Sequence, residues 1–198
     1  MIPRHLVIGT AVMLAIALAM SVYLWRMRGR VPHVAPAAYS GPIAPPVSGP
    51  TEQVTLYVAD DESGMLRAQA ARIPLPAGRQ ERAQELLRAL LGLYLDKVSP
   101  HPLGPSTEVR DVYLVDPGLA VIDMNAAFAD DHRSGILVEE LTVASLVQTL
   151  SANIPGITRV KILVDGRQRE TLAGHADLSG FFEVSAVNQM VAQMQGAQ

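Results

Sequence analysis

The stretch GILVEELTVASLVQTLSANIPGITRVKILVDG, residues 135–166, places the longest helix pattern of the chain directly before a strand pattern. Its first part predicts a helix over about 135–154, because apolar side chains recur at spacings of three and four. The members of this apolar stripe are Ile136, Val143, Val147, Leu150 and Ile154, broadened by Leu137, Leu141 and Leu146. A stripe of this width is typical of the central helix of a domain, packed against a sheet. Pro155-Gly156 then ends the helix.

The strand pattern is RVKILVD, residues 159–165. Its apolar face is formed by Val160, Ile162 and Val164. Asp165-Gly166 follows, which is the strongest hairpin-turn dipeptide of the chain. With a two-residue loop, Lys161 would lie opposite Glu170 as a favourable cross-strand pair. The sequence therefore predicts a last hairpin whose second strand lies at an edge of the sheet.

Two more hairpins and one more helix precede this stretch. Residues 54–73 alternate around the turn DDESG (60–64), and residues 108–124 alternate around the turn DPG (116–118), where proline fixes one backbone angle and glycine permits a positive one. Between the hairpins, residues 79–95 predict an amphipathic helix. Its apolar positions are Ala83, Leu86, Leu87, Leu90 and Tyr94.

The order of elements is strand, strand, helix, strand, strand, helix, strand, strand. This order predicts an α+β domain over residues 53–183, a two-layer sandwich with two main helices packed on one face of a mixed sheet. In the tail, residues 184–198, apolar side chains again recur at helical spacing. We expect the tail to dock on its own domain rather than to form an oligomer seam. These apolar side chains are Val184, Val187, Val191 and Met194.

Residues 1–30 have the features of a membrane anchor with a basic flank. Residues 6–25 carry no charge, and a helix of that length spans about 30 Å, the thickness of the hydrocarbon core of a bilayer. Tyr23 and Trp25 lie where an interfacial aromatic belt is found. A cleaved signal peptide is the alternative, because residues 17–19, ALA, offer a cleavage site of small residues. We expect an uncleaved, single-pass helix that contacts the lipid bilayer of the bacterial cytoplasmic membrane.

The orientation of this anchor rests on opposing indications. Three arginines follow the apolar segment and only Arg4 precedes it, a balance that favours a cytoplasmic C-terminal domain. Residues 31–52 are rich in proline, alanine, serine and glycine, and they predict a semi-extended tether that suits an exported domain. Together with the family resemblance given below, the tether favours an extracytoplasmic domain.

Charge and composition exclude several classes of function. Four of the 16 basic residues and none of the 19 acidic residues lie in the first thirty positions, so the rest of the chain is acidic. An acidic domain repels a phosphate backbone, and we expect no nucleic-acid binding. The absence of cysteine excludes disulfides, thiolate metal sites and a lipid-anchoring cysteine. The sequence also lacks the nucleotide-binding, serine-hydrolase and zinc-protease motifs.

Three groups of polar residues could carry chemistry. His175 and Asp177 would point the same way on a strand, as a base with its orienting carboxylate or as two metal ligands. Glu139 and Glu140 lie near the start of the long helix, where carboxylates stabilise the helix dipole. The third group is rich in oxygen ligands: Asp123, Asn125, Asp130, Asp131 and His132. It lacks the spacing of a calcium-binding loop, and helix capping with a solvated turn explains it better.

Structural roles account for all three groups, since His175 could simply bond to backbone where the domain closes. We therefore expect no enzymatic activity, no metal and no other cofactor. The alternative hypothesis is a cell-wall hydrolase or metal-dependent enzyme that uses His175, Asp177 and Asp123.

Five segments in their order resemble the GerMN domain, a module named for a bacterial protein of sporulation and spore germination. The resemblance covers about residues 53–178. The segments are VTLYVAD (54–60), ELLRALL (85–91), VYLVDPGLAVIDMNAAF (112–128), VEELTVASLVQTLSANIPGITRVKILVDG (138–166) and ETLAGHADLSG (170–180). The chain departs from the family pattern at Phe181-Phe182, where a proline often follows the last segment.

The resemblance implies an envelope-exposed domain with structural likeness to the ring-building modules of secretion-type assemblies, which work by binding neighbours. It also implies that the last segment is not catalytic. We therefore expect a non-catalytic protein-binding or scaffold module of the bacterial cell envelope, with envelope proteins or copies of itself as partners. The predicted partner surface is Arg159, Lys161, Arg167 and Arg169 together with Phe181 and Phe182. The alternative interpretation of this basic cluster is the solvating charge of an edge strand.

Overall fold

The computed structural model describes residues 13, 14, 18, 20, 50–115 and 117–196. The chain divides into two units, Met1–Pro45 and Pro46–Gln198. In the first unit, the described residues are helical and exposed. Over the described positions, no helix is both long and apolar enough to cross a bilayer. The predicted anchor, residues 6–25, and the predicted linker, residues 31–52, lie mostly outside the described residues.

The first hairpin forms as predicted, with β1 (Thr51–Asp60) antiparallel to β2 (Met65–Pro74). The most buried apolar side chains of β1 are Val54, Leu56, Val58 and Ala59. Asp60 closes the turn, because its Oδ1 accepts a hydrogen bond of 3.0 Å from the backbone N–H of Ser63. An apolar face and a self-capped turn therefore fix this hairpin.

A second sheet has four strands in the order β3 (Val109–Val115), β4 (Leu119–Met124), β5 (Arg159–Val164) and β6 (Phe182–Glu183). β4 is antiparallel to β3 and parallel to β5, which is antiparallel to β6. This sheet is mixed, as predicted. The prediction of one sheet for all strands is wrong, because β1 and β2 form a sheet of their own. The outer edge of β1 is occupied by helix side chains instead of a third strand.

The helices of the described domain are α1 (Arg79–Tyr94), α2 (Ala127–Asp130), α3 (Ile136–Asn153) and α4 (Val184–Gly196). The positions of α1 and α3 confirm the two predicted main helices. α3 is the centre of the domain, since every residue from 141 to 150 is buried. Its first turn differs from the prediction, because Ile136 and Leu137 are 62% and 42% exposed. The buried part of α3 begins at Glu139 instead.

α4 docks on its own domain, as predicted for the tail. Val187 and Val191 are buried, and Val184 and Met194 pack against the same core. The Nε2 of Gln148 on α3 also donates a hydrogen bond of 3.1 Å to the Oδ1 of Asn188 on α4. The apolar stripe of the tail is therefore used within the chain.

The predicted last hairpin is wrong beyond its turn. Asp165 and Gly166 adopt φ values of 51° and 69°, and Val164 and Arg167 exchange hydrogen bonds of 2.9 and 3.0 Å across them. The chain then leaves the sheet, and β5 pairs with β6 instead. The predicted pairing of Lys161 with the segment after the turn therefore does not form.

Candidate functional site: the closing segment and the outer sheet face

The closing segment, residues 170–180, folds back on itself as a compact loop. The backbone N–H of Leu172 donates to the carbonyl of Ala176 at 3.0 Å. The N–H of Leu178 donates to the carbonyl of Glu170, the first residue of the segment, at 2.8 Å. Gly174 lies at the reversal with a φ of +118°, a conformation that strains residues with a side chain. The side chains of Leu172, Ala176 and Leu178 are buried, so the loop is anchored in the core.

A buried carboxylate holds one side of the closing segment. It belongs to Glu139 of α3, whose side chain is fully buried. Its Oε2 accepts hydrogen bonds of 2.9–3.0 Å from the N–H groups of Ala173, His175 and Ala176. Its Oε1 accepts from the N–H of Gly135 at 3.1 Å and from Nδ1–H of His175 at 2.9 Å. A single carboxylate thus satisfies backbone donors of both α3 and the closing segment.

The role of Glu139 goes beyond the predicted interaction with the helix dipole. Glu139 lies four residues before Val143, on the face of the helix that carries the buried apolar stripe, whereas Glu140 lies beside that face. A carboxylate on an apolar stripe is buried, and a buried carboxylate requires donors. The sequence carried this signal, but it did not identify the donors.

The electrostatics of Glu139 follow from these contacts. Burial raises the pKa of Glu139, but the hydrogen bonds from Ala173, His175, Ala176 and Gly135 outweigh burial and lower that pKa from 4.5 to about 2. The folded protein therefore strongly prefers the charged carboxylate, which accepts hydrogen bonds only.

We expect the domain to lose stability as the pH falls from about 4.5 towards about 2. An acid whose pKa is lower in the folded state contributes stability above its unfolded pKa, and that contribution is lost as the pH falls through the folded pKa. A shift of this size corresponds to about 3 kcal/mol of unfolding free energy. Urea unfolding over this pH window measures it in the wild type and in Glu139→Gln. The same acid dependence in both proteins would contradict the assignment.

A buried ammonium group holds the other side of the closing segment. Lys161 on β5 is only 8% exposed. Its Nζ donates to the carbonyls of Leu178 at 2.8 Å, Ser179 at 2.7 Å and Gly180 at 3.0 Å. Burial lowers the pKa of Lys161, and the nearby carboxylate of Asp177 partly opposes that shift. These carbonyls use all three donors of the ammonium group.

Phe181 connects this arrangement to the surface. Its ring is 55% exposed. The ring centroid lies 5.8 Å from Nζ of Lys161 and 5.5 Å from the guanidinium carbon of Arg159, so both cations are within cation–π range. Phe182 follows in β6 and packs against the core. Among the residues of the predicted partner surface, Arg159 and Phe181 therefore share one accessible patch, with Lys161 beneath it.

The other two arginines of the predicted surface lie after the Asp165-Gly166 turn. Arg167 is exposed. Arg169 donates from Nε to the carbonyl of Thr171 at 3.1 Å and forms an ion pair of 2.8 Å with Asp130. Arg169 thus ties the start of the closing segment to the end of α2.

The residues of the alternative hydrolase hypothesis have separate partners. His175 bonds to the buried carboxylate described above. The Oδ1 of Asp177 accepts the N–H of Ser179 at 2.7 Å, and the Oδ1 of Asp123 accepts the N–H of Gly166 at 2.7 Å. In the described part of the chain, no hydrogen bond joins His175, Asp177 and Asp123 to one another. Each of the three instead supports a loop or turn.

The oxygen-rich group also has structural contacts. Asn125 accepts, through Oδ1, a hydrogen bond of 3.3 Å from the backbone N–H of Phe128 in α2, a short helix that the sequence did not predict. Asp130 pairs with Arg169, while Asp131 is exposed. Among the residues that the structure describes, no cluster of three or more His, Asp or Glu side chains is arranged to hold a metal ion.

A buried histidine network was not predicted. The Nδ1 of His101 lies 2.5 Å from the Oδ1 of Asp61, and its Nε2 lies 2.7 Å from the Oγ1 of Thr142. The Nε2 of His132 lies 2.8 Å from the same hydroxyl oxygen. Burial lowers the pKa of both histidines. The network ties the β1–β2 turn and two loops to α3. The sequence does not predict it, because its members are far apart in the chain.

The four-stranded sheet has a covered face and a partly open face, on which Lys161 and Asp123 are buried. Strand alternation and register place one set of side chains in the core: Val112, Ala120, Ile122, Val160 and Ile162. The opposite set, which we call the outer sheet face, has these apolar members: Tyr113, Val115, Leu119, Val121 and Leu163. Tyr113 and Val115 are 44% and 48% exposed, and none of the five belongs to the hydrophobic core. Arg159 pairs with Leu119 in the register, so the Arg159–Phe181 patch borders this face.

The comparisons with known proteins agree with the fold. A family model for sporulation and spore germination, Germane, matches residues 55–170. The tandem GerMN domains of the sporulation protein GerM from Bacillus subtilis give a TM-score of 0.51 at 20% identity, over 68% of this chain and 46% of that chain. The chain thus spans about half of that tandem. A search of curated proteins finds no significant match.

Two further solved structures give lower scores. The first GerMN domain of GerM from Bacillus subtilis gives a TM-score of 0.45 at 21% identity, over 65% of this chain and 93% of that chain. A putative lipoprotein from Clostridium perfringens gives 0.44 at 21% identity, over 71% of this chain and 92% of that chain. The family match, which covers more than half of the chain, carries the assignment: the chain belongs to the Germane family of sporulation and spore germination domains.

Proposed function

We propose that this protein is a membrane-tethered, non-catalytic protein-binding module of the bacterial cell envelope, and that it binds its partner through the outer sheet face. The partly open apolar face is the observation that carries the proposal. Five apolar side chains lie on one side of the four-stranded sheet, outside the core, and Tyr113 and Val115 are about half exposed. A contiguous exposed apolar surface with a polar rim is typical of an interaction site.

The rim supplies the features that distinguish a binding surface from a merely uncovered sheet. The guanidinium group of Arg159 lies over the ring of Phe181 at one border. Aromatic residues and arginine are enriched among the residues that dominate binding energy. Lys161 lies beneath this border and supports it, because its hydrogen bonds to the closing segment hold the ring of Phe181 in position.

A non-catalytic role is supported by the use of the polar residues. His175, Asp177 and Asp123 were the residues of the alternative hydrolase, and each is engaged with backbone or a buried carboxylate. Hydrogen bonds that hold a loop leave these groups without the mutual geometry that a nucleophile and its base require. The family assignment agrees with a binding role, since it names a process and no reaction.

The location outside the cytoplasm rests on the apolar segment, residues 6–25, and on the proline-rich residues 31–52. We propose that they anchor and space an extracytoplasmic domain. A phosphatase fused after the C-terminus measures this: activity in intact cells supports export, and an inactive fusion that is active after lysis contradicts it.

We expect a photo-crosslinking amino acid at position 113 of the full chain to form covalent adducts with a protein partner, while the same residue at position 98 does not. Val98 is the matched control, because it is 87% exposed but lies in the loop before β3. Val115→Ser should weaken the adduct, since loss of an apolar contact of about 1–2 kcal/mol reduces affinity roughly tenfold. Equal adducts from both positions, or none from position 113, would contradict the proposed surface.

A further inference from the structure

The β1–β2 sheet has one covered edge. The backbone N–H of Thr55 donates to Oδ1 of Asn153, whose Nδ2 donates back to the carbonyl of Thr55. The N–H of Tyr57 donates to Oγ1 of Thr149 at 3.0 Å. The N–H of Ala59 donates to the hydroxyl oxygen of Tyr94, a buried residue of α1, at 2.8 Å. Helix side chains therefore satisfy the outer edge of β1 as a third strand would.

These bonds fix which groups of β2 point outward. Successive residues of a strand turn their N–H and C=O groups to opposite edges. Since residues 55, 57 and 59 face the helices, residues 54, 56 and 58 must face β2, where the register pairs them with residues 71, 69 and 67. The residues of β2 that alternate with these three therefore direct their backbone N–H and C=O groups to the free edge of the strand. They are Ala68, Ala70 and Arg72.

This edge is open along its middle and end. Within the described residues, the backbone N–H and C=O groups of Ala68, Ala70 and Arg72 have no hydrogen-bond partner. Near its start, Gln195 of α4 donates to the carbonyl of Leu66 at 3.4 Å, so α4 covers only that end. The register runs without a bulge. No proline occurs before the last residue of the strand. The devices that usually block an edge are thus missing from its middle.

The side chains of the open edge define what can pair with it. Ala68, Gln69 and Ala70 are exposed, and the two alanines carry short side chains, so another backbone can approach the edge at these positions. The charges are Arg67 and Arg72, both exposed, with one on each face. A second copy would bring two more arginines to the same small sheet, which like-charge repulsion disfavours. An acidic strand would meet complementary charge.

We propose that the free edge of β2 is a second docking site, distinct from the outer sheet face, which takes an extended, acidic segment of another protein by strand addition. Backbone groups of Ala68, Ala70 and Arg72 supply the hydrogen bonds, as in other cases of β-augmentation. Arg67 and Arg72 select acidic side chains five positions apart on the incoming strand. The Arg67–Asp60 ion pair leaves the Arg67 side chain 65% exposed, so it can reach a new partner.

The experiment uses the full chain and a short, end-blocked peptide of alternating valine and threonine with two glutamates five positions apart. Amide hydrogen exchange is followed residue by residue. We expect the peptide to slow exchange at Ala68, Ala70 and Arg72 by roughly tenfold or more when bound, while the amides that already face β1 change little. A peptide with lysines in place of the glutamates should bind at least about tenfold more weakly, the loss of about 1.4 kcal/mol in charge pairing.

Ala70→Pro is the blocking variant, because it removes an outward N–H and leaves every hydrogen bond to β1 in place. Ala70→Thr is the matched control, since it keeps the N–H. The proposal requires Ala70→Pro to lose peptide binding while Ala70→Thr keeps it, with both folded by circular dichroism. Unchanged binding by Ala70→Pro overturns it, as does protection of these amides by a second copy at high concentration without peptide. Tyr113→Ser must leave peptide binding intact, which separates this site from the outer sheet face.

Discussion

Glu139→Gln will lower the free energy of unfolding by about 3 kcal/mol, because it removes the buried charge that holds the closing segment to α3. The carboxylate accepts hydrogen bonds from the N–H groups of Ala173, His175 and Ala176 and from Gly135. A glutamine of the same shape has one oxygen and an NH2 group, so it turns donors towards donors. Buried N–H groups without an acceptor account for the loss.

Glu140→Gln is the control for this experiment. Glu140 is the next residue of α3, but its side chain has no hydrogen bond within the described residues. The same chemical change there should alter the free energy of unfolding by less than about 0.5 kcal/mol. Urea unfolding, followed by circular dichroism at neutral pH, measures both variants. Similar losses for the two would show that Glu139 acts only through the helix dipole, as a simple sequence argument suggests.

Lys161→Met will release the end of the closing segment and cost about 2 kcal/mol. Methionine keeps the length of the apolar stem but removes the donors to the carbonyls of Leu178, Ser179 and Gly180. We expect faster amide exchange and faster proteolysis over residues 178–182, because these carbonyls and the Phe181 ring lose their common cation.

Arg159→Met is the matched control for the lysine. Arg159 lies on the same strand and the same face and also contacts Phe181, but no hydrogen bond joins its side chain to the closing segment in the described residues. We expect less than about 1 kcal/mol of destabilisation and unchanged proteolysis over residues 178–182. If both variants release the segment equally, the aromatic contact and not the ammonium group holds it.

These two charged residues explain the character of the closing segment. Glu139 accepts hydrogen bonds from N–H groups of the segment, and Lys161 donates hydrogen bonds to its carbonyls. These backbone groups of an irregular loop therefore have hydrogen-bond partners without a neighbouring strand. Buried backbone must find partners, and side chains can provide them where no ladder exists. The segment ETLAGHADLSG is therefore an anchored loop in this chain, and His175 is part of the anchor.

The sequence by itself determined the elements that depend on local pattern. Apolar periodicity located α1, α3 and the docked tail helix, and alternation with turn residues located the first two hairpins. The five ordered segments also identified the family, which the match over residues 55–170 confirms. Each of these conclusions requires only residues near one another in the chain, or their order along it.

Only the tertiary structure decided the partners of the charged and polar side chains. The sequence placed Lys161 in a cross-strand pair and Glu139 at a helix dipole, whereas each binds backbone of a segment that lies elsewhere in the chain. The helix side chains that cover the edge of β1 likewise split the predicted single sheet in two. Periodicity reports which face of an element is buried, but the hydrogen-bond partner of a buried polar group depends on which distant segment packs there.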